Sequence, residues 1–230
     1  MRMRDVLVAA AVLASGPVTA GTLVGKVELP SNLPGRPKPA EPGFVERYEN
    51  PVTPVRPVNV TQRMVIVVEG DEKPAAPPRV QWNLVGETFS HPVIAAAAGA
   101  EVTIVNQSKT ARTLVAKEDP KLIEPGPINP SGPKTLHPPE AGKVYTIVDK
   151  DAPYLVGRLV VVNTQYIAYP DESGHFEIEN IPPGSYKLKI WFDTGWIARP
   201  DEAVTIAVKG KTDINPKLGA DAFAGSAPKK

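Results

Sequence analysis

The chain runs to 230 residues, 42% of them hydrophobic and only 6% aromatic, with 26 basic side chains against 25 acidic ones. That balance leaves no basic field to draw in nucleic acid or an anionic membrane surface. The chain has no cysteine, which excludes a disulfide framework, a zinc thiolate site and a cysteine nucleophile.

Residues 1–20 predict an export signal. Met1-Arg2-Met3-Arg4 is a basic start and Val6 to Ala14 a short apolar core. Val18-Thr19-Ala20 then offers the small residues a signal peptidase needs, so cleavage is expected after Ala20. The apolar core is shorter than the roughly 20 residues that span a bilayer, and no integral membrane segment is expected in the mature chain. Cleavage removes Arg2, Arg4 and Asp5 and leaves acids and bases in balance. The expected location is the periplasm, the outer membrane surface or the outside of the cell.

After the signal, Gly21 to Leu29 reads as a strand. Pro30, Pro34, Pro37, Pro39, Pro42, Pro51, Pro54 and Pro57 follow, and no helix or central strand survives that density. Met64 to Val68 (MVIVV) is a continuous apolar run, expected to be a strand buried on both faces. Ala95 to Ala98 is helix-friendly by propensity, but Pro92, Val93, Ile94 and Gly99 around it favour a strand. Glu101 to Val105 alternates with period two. A second proline cluster, Pro120 to Pro139, predicts long loops. Lys143 to Ile147 alternates again, and Leu159 to Val162 (LVVV) is a second run expected to be buried on both sides. Tyr186, Leu188, Ile190 and Phe192 share one strand face, and Val204, Ile206 and Val208 repeat the pattern as a closing strand. The tail from Gly225 is expected to be mobile. The chain is therefore expected to be all-β.

Two segments carry resemblances. "GHFEIENIPPGSYKLKIWF", residues 174–192, follows Tyr169-Pro170-Asp171-Glu172-Ser173. It resembles the carboxypeptidase regulatory-like, or transthyretin-like, β-sandwich, with a D-x-x-G turn and a P-P-G-x-Y turn. Pro183-Gly184 suits a type II turn there, and "GTLVGKVEL", residues 21–29, looks like the opening strand of the same family. "FSHPVIAAAAGAEVTIVNQS", residues 89–108, is similar to the opening of a cupredoxin. The combined resemblance implies a cupredoxin-like Greek-key sandwich set into or beside a transthyretin-like sandwich. The implied division is 1–20 signal peptide, then 21–70 first regulatory-like strands with a proline-rich loop over 30–62. A degenerate cupredoxin-like domain over 79–163 follows, then 164–217 the remaining regulatory-like strands and 218–230 a flexible tail.

A cupredoxin implies four copper ligands: a histidine soon after the asparagine, then cysteine, histidine and methionine in a late loop. Against that pattern Arg112 falls at the first histidine, Asp149 at the cysteine, Ala152 at the second histidine and Leu155 at the methionine. Blue-copper chemistry needs a thiolate and two imidazoles, and none of these four side chains supplies one. The expectation is a loop without metal or any other cofactor, with Leu155 packed inward and Arg112 paired with Asp149 or Asp151.

No catalytic reading survives. His91, His137 and His175 sit in separate segments without ligand spacing, and the paired acids Asp149/Asp151, Asp171/Glu172 and Asp201/Glu202 read as turn residues. Ser90 lacks the G-x-S-x-G elbow, and no glycine-rich phosphate loop is present. What remains is surface. Strand alternation turns Trp191 outward, and Trp191, Trp196, Tyr166 and Tyr169 together mark an expected contact surface for an envelope protein or a glycan. The expected function is that of a non-enzymatic, exported binding or structural protein. A copper or electron-transfer protein using His91 and His137 is the alternative, and an accessory subunit of an exported enzyme a second one.

Overall fold

The computed structural model describes residues 20–30, 60–71, 76–198, 202–208, 210–219 and 223. The export signal before Ala20, nearly all of the proline-rich segment and most of the tail lie outside the described residues. In chain order the strands are β1 (Gly21–Lys26), β2 (Met64–Glu69), β3 (Val80–Val85), β4 (Thr88–Phe89), β5 (Val93–Ala97), β6 (Val102–Asn106), β7 (Leu114–Ala116) and β8 (Pro133–Leu136). They continue with β9 (Val144–Asp149), β10 (Val156–Val162), β11 (Ile167–Ala168), β12 (His175–Ile181), β13 (Gly184–Phe192), β14 (Gly195–Trp196), β15 (Glu202–Ile206) and β16 (Lys211–Ile214). The described residues contain no α-helix, only the 3₁₀ turn Thr61–Arg63. No helix among them is long and apolar enough to cross a membrane. The protein is all-β.

The strands form four sheets. β4-β3-β6-β8 and β5-β10-β9-β7 make one sandwich from a continuous stretch of chain. β3 pairs β6 in parallel and β5 pairs β10 in parallel, so each sheet is mixed. β11-β2-β13 with β14 and β15 on its far edge, and β12-β1-β16, make the second. Strands β1 and β2 precede the first sandwich in sequence and the rest of the second sandwich follows it. One sandwich is therefore inserted into the other between β2 and β11.

The four sheets stack, and three apolar layers lie between them. Trp82, Ile104, Tyr145, Ile147, Leu155, Leu159 and Val161 belong to the core of the inserted sandwich. Leu23, Met64, Ile66, Val68, Leu188, Ile190 and Phe192 belong to the core of the outer one. Between the sandwiches lies a third cluster of Val65, Val67, Val93, Ala95, Val160, Val162 and Trp191. This layer explains the two continuous apolar runs. In β2, Met64, Ile66 and Val68 face their own core while Val65 and Val67 face the seam; in β10, Leu159 and Val161 face inward while Val160 and Val162 face the seam. Burying one valine side chain is worth about 1.5–3 kcal/mol, so the seam valines together contribute on the order of 10 kcal/mol. That figure is an upper bound because the unfolded chain already buries part of this surface.

Polar contacts tie the same seam. Asp193 Oδ1, in the turn after β13, accepts from Arg63 Nη1 at 3.1 Å and from Arg158 Nη1 of β10 at 3.3 Å. The hydroxyl of Tyr169 meets the backbone of edge strand β5, accepting from Ala95 N at 3.1 Å and donating to Ala95 O at 3.4 Å.

One ambiguous run is strand as expected, and several elements differ from expectation. Ala95 to Ala97 is strand, as its flanking residues favoured, with Ala95 and Ala96 facing opposite layers. The second proline cluster is not all loop: β8 begins at Pro133, and it can do so because β8 is an edge strand, where a missing N–H costs nothing. The closing alternation stops at Ile206, leaving Val208 exposed. The strand after it, β16, was not expected because Lys-Thr-Asp-Ile offers one apolar residue. It pairs in parallel with β1 as a sheet edge, and Ile214 alone packs on the core. Gly184 opens β13 and is not among the glycines at positive φ. The left-handed residue of that hairpin is Asn180, at φ 60°.

Candidate functional site

The loop cluster at the end of the inserted sandwich is built from Asn106 outward. Asn106 ends β6 and is wholly buried. Its Nδ2 donates to the carbonyls of Thr110 and Ile128, each at 2.8 Å, while its Oδ1 accepts from Ser108 N at 3.0 Å and Ser108 Oγ at 2.6 Å. A buried carboxamide satisfied on both ends fixes the following turn. That turn delivers Arg112, whose backbone exchanges two hydrogen bonds with Ile128 at 3.1 and 2.8 Å.

From the opposite side β9 ends at Asp149, which is 1% exposed. Arg112 Nη1 donates to Asp149 Oδ2 at 3.4 Å, and Arg112 Nη2 donates to Gly86 O at 3.3 Å. Glu87 stands 3.9 Å from the same guanidinium. Asp149 Oδ1 accepts from Asp151 N at 3.0 Å, which makes Asp149 the buried partner and leaves Asp151 on the surface. Of the two aspartates expected as the partner of Arg112, it is Asp149 that pairs, and it is a buried residue at the end of a strand. The turn beyond it closes with Leu155 N donating to Ala152 O at 2.9 Å. Ala152 and Leu155 are both buried in the core of the inserted sandwich. The structure therefore brings Arg112, Asp149, Ala152 and Leu155 into one loop cluster, and a single guanidinium links three segments of chain.

This donor set does not fit copper. Two of the four positions are consumed by an ion pair and the other two are alkyl groups in the core. Arg112 Nε is buried with no hydrogen-bond partner, but it is an N–H donor on a permanent cation and repels a metal. The three histidines are all exposed and lie apart: His91 packs against Tyr169 with ring centroids 5.2 Å apart, His137 follows β8, and His175 opens β12. Among the described residues, no group of three histidine, aspartate or glutamate side chains is placed to hold an ion.

One hairpin turn superficially resembles a nucleophile site. Ser173 Oγ is 2.7 Å from His175 Nδ1, and it donates to Asp171 Oδ1 at 2.7 Å. The same Asp171 oxygen accepts from the backbone N–H groups of Ser173 and His175, both at 2.9 Å. These bonds, the Ser173 hydroxyl first, hold the Asp171 carboxyl below its ordinary range. The carboxylate thus accepts the serine hydroxyl's hydrogen bond while its other oxygen stands 3.9 Å from His175 Nδ1, and the arrangement is an aspartate-stabilised turn, not an activated nucleophile.

The four aromatic residues expected to form one contact surface are distributed. Trp191 is 3% exposed, which corrects the expectation that it faces outward. It does point away from its own core, but the inserted sandwich covers that face. Its indole N–H donates to Asp193 O at 3.2 Å. Trp196 is exposed, set edge-on to Trp191 at 5.2 Å, with Lys189 Nζ 5.9 Å above its ring. Tyr166 is half-buried against the outer core, on the opposite face of the sheet from Trp191. Tyr169 presents its ring to solvent while its hydroxyl is taken up against Ala95, and burial pushes that phenol up to about 12, partly offset by the Ala95 bond. The sequence reasoning passed over Arg63, Arg158 and Asp193, which join the sandwiches. The available signal was Asp193-Thr194-Gly195 directly after a strand, a turn that places a carboxylate where two strands can reach it.

Residues 144–214 match the family model described as polysaccharide lyase family 4, domain II. The match takes in β9 and β10 of the inserted sandwich and β11 to β16 of the outer one. No curated protein matches the chain. Among solved structures, amicyanin from Paracoccus versutus is 18% identical, with a TM-score of 0.32, covering 42% of this chain and 96% of its own. An oxidized amicyanin mutant is 14% identical, again with a TM-score of 0.32, covering 42% of this chain and 97% of its own.

Proposed function

We propose that the protein is an exported, non-catalytic binding or structural component of the cell envelope or of a secreted assembly. In this reading a cupredoxin-like sandwich without a copper site is nested in a carboxypeptidase regulatory-like, transthyretin-like sandwich. The observation that carries it is the loop cluster, where Arg112 pairs with Asp149 and Leu155 fills the core at positions where the resemblance implies ligands. The paired charge and packed alkyl groups leave no reactive centre, so recognition falls to the exterior. The match to a polysaccharide lyase domain supports a glycan as the partner. It also favours the second reading, a non-catalytic accessory subunit of an exported enzyme. Immobilised full-length protein challenged with envelope extract tests the proposal, with bound proteins identified by mass spectrometry and bound glycan by sugar analysis. Selective retention of an envelope glycan or structural protein is expected. Retention of an enzyme at fixed stoichiometry selects the second reading, and retention of nothing contradicts both.

A further inference from the structure

We propose that a groove on the outer sandwich binds an uncharged oligosaccharide. This rests on the glycan reading above and names its site and ligand class. The groove is shallow and open, about 530 Å³, and lies where the chain returns from β10 into β11. Both sandwiches border it, because Pro78 at its edge leads into β3 while Tyr166 and β12 form the rest.

The groove is shaped by an irregularity in β12. Ile178 pairs with Leu23 and Ile181 with Gly21, so Glu179 and Asn180 both stand opposite the single residue Thr22. Asn180 takes the left-handed backbone at φ 60°. This is a β-bulge, a device that re-aims side chains. It breaks the in–out alternation and leaves Glu179 and Asn180 exposed side by side on the groove wall. Neither side chain has a hydrogen-bond partner among the described residues. Tyr166 is held edge-on by Tyr186 at 6.0 Å, which presets its ring.

The chemistry selects a sugar. A fixed aromatic ring receives the C–H face of a pyranose. Carboxylates and carboxamides from Glu177, Glu179, Gln165 and Asn180 ring it and take the hydroxyl groups, with the stronger bonds going to the ionised carboxylates. The charge selects which sugar. Lys211 Nζ lies 2.9 Å from Glu177, and its charge also reaches Glu179; two carboxylates against one ammonium leave the wall net negative, and it repels an acidic chain. A neutral glycan fits and a polyuronate does not.

Calorimetric titration of the full-length protein with cellohexaose, mannohexaose, maltohexaose and polygalacturonate tests this. One of the neutral hexaoses is expected to bind and polygalacturonate to bind at least about tenfold more weakly, the scale of one charge-assisted hydrogen bond. Tyr166→Ala should abolish binding. Because Tyr166 also packs on the core, Glu179→Ala and Asn180→Gly serve as surface variants that leave the fold intact, and Glu179→Ala should weaken binding about tenfold. Unchanged neutral-glycan affinity in both surface variants overturns the groove but leaves the glycan reading standing. Preference for polygalacturonate overturns the charge argument. Binding of none of the four overturns this site and removes the glycan from the proposed function.

Discussion

Arg158, on the last strand of the inserted sandwich, donates from Nη1 to Asp193 Oδ1 of the outer sandwich at 3.3 Å, and Arg63 donates to the same oxygen at 3.1 Å. Asp193 sits at φ 46°, a left-handed conformation that asparagine and aspartate tolerate better than most residues. Asp193→Ala should cost about 2 kcal/mol, since both arginines retain some access to water. A loss of that size lowers Tm by roughly 4–8 °C in a chain of this length. Asp193→Asn, which keeps the turn and loses only the charge, should lose less. Equal melting of the alanine variant and the parent would show that the valine layer alone holds the seam.

Arg112 and Asp149 form the buried tie within the inserted sandwich. Arg112→Ala leaves a carboxylate buried without its partner, and such losses run to about 3–5 kcal/mol. Replacing both residues, as Arg112→Met with Asp149→Leu, should recover most of that loss. Chemical denaturation of Arg112→Met, Asp149→Leu and the double supplies the cycle. Additive effects would mean that the pair is not coupled.

Gly157 in β10 lies against Trp82 and Phe89, whose rings stack with centroids 4.1 Å apart. A Cβ built on Gly157 would stand 2.7 Å from Phe89 and closer still to Trp82. Gly157→Ala should therefore destabilise by about 1–3 kcal/mol through overpacking, whereas Gly99→Asn meets open space and should cost only the left-handed backbone strain, about 1 kcal/mol. Thermal melts of the two variants check the contrast.

Tyr169 makes the seam sensitive to alkali. Its phenol is raised to about 12 in the folded chain by burial, while the unfolded phenol titrates near 10. Below pH 10 both states keep the proton and the contribution to stability is whole. As the pH climbs from about 10 to 12 the unfolded state alone loses its proton, and that contribution drains away. Tyr169→Phe should remove this part of the alkaline loss, and at neutral pH it should cost about 1 kcal/mol for the bonds to Ala95. Parallel denaturation curves for parent and variant across that range would contradict the assignment.

The sequence made the fold class legible because period-two alternation marks most strands directly, as in Glu101 to Val105 or Tyr186 to Phe192. The doubly buried strands were legible too, since Met64 to Val68 and Leu159 to Val162 leave no polar face. What those runs face was not legible. Val65 and Trp191 occupy neighbouring strands on one face of one sheet, a relation that β-pairing across more than a hundred residues creates. Trp191 was consequently read as outward when it lies under a second sandwich. The loop cluster was legible at the level of residue types, because a thiolate or an imidazole is either present or absent. Which aspartate Arg112 reaches was not, since that depends on where β9 ends. β16 escaped notice because an edge strand with one core-facing residue carries almost no periodic signal.

The central claim is that the loop at Arg112, Asp149, Ala152 and Leu155 holds no copper. Its most direct test is Cu(II) titration of purified full-length protein, followed by dialysis, elemental analysis and visible absorption. The account predicts substoichiometric residual copper, no intense blue band, and no change in that result for Arg112→Ala. Retention of one copper per chain, lost when Asp149 is replaced by alanine, would contradict it.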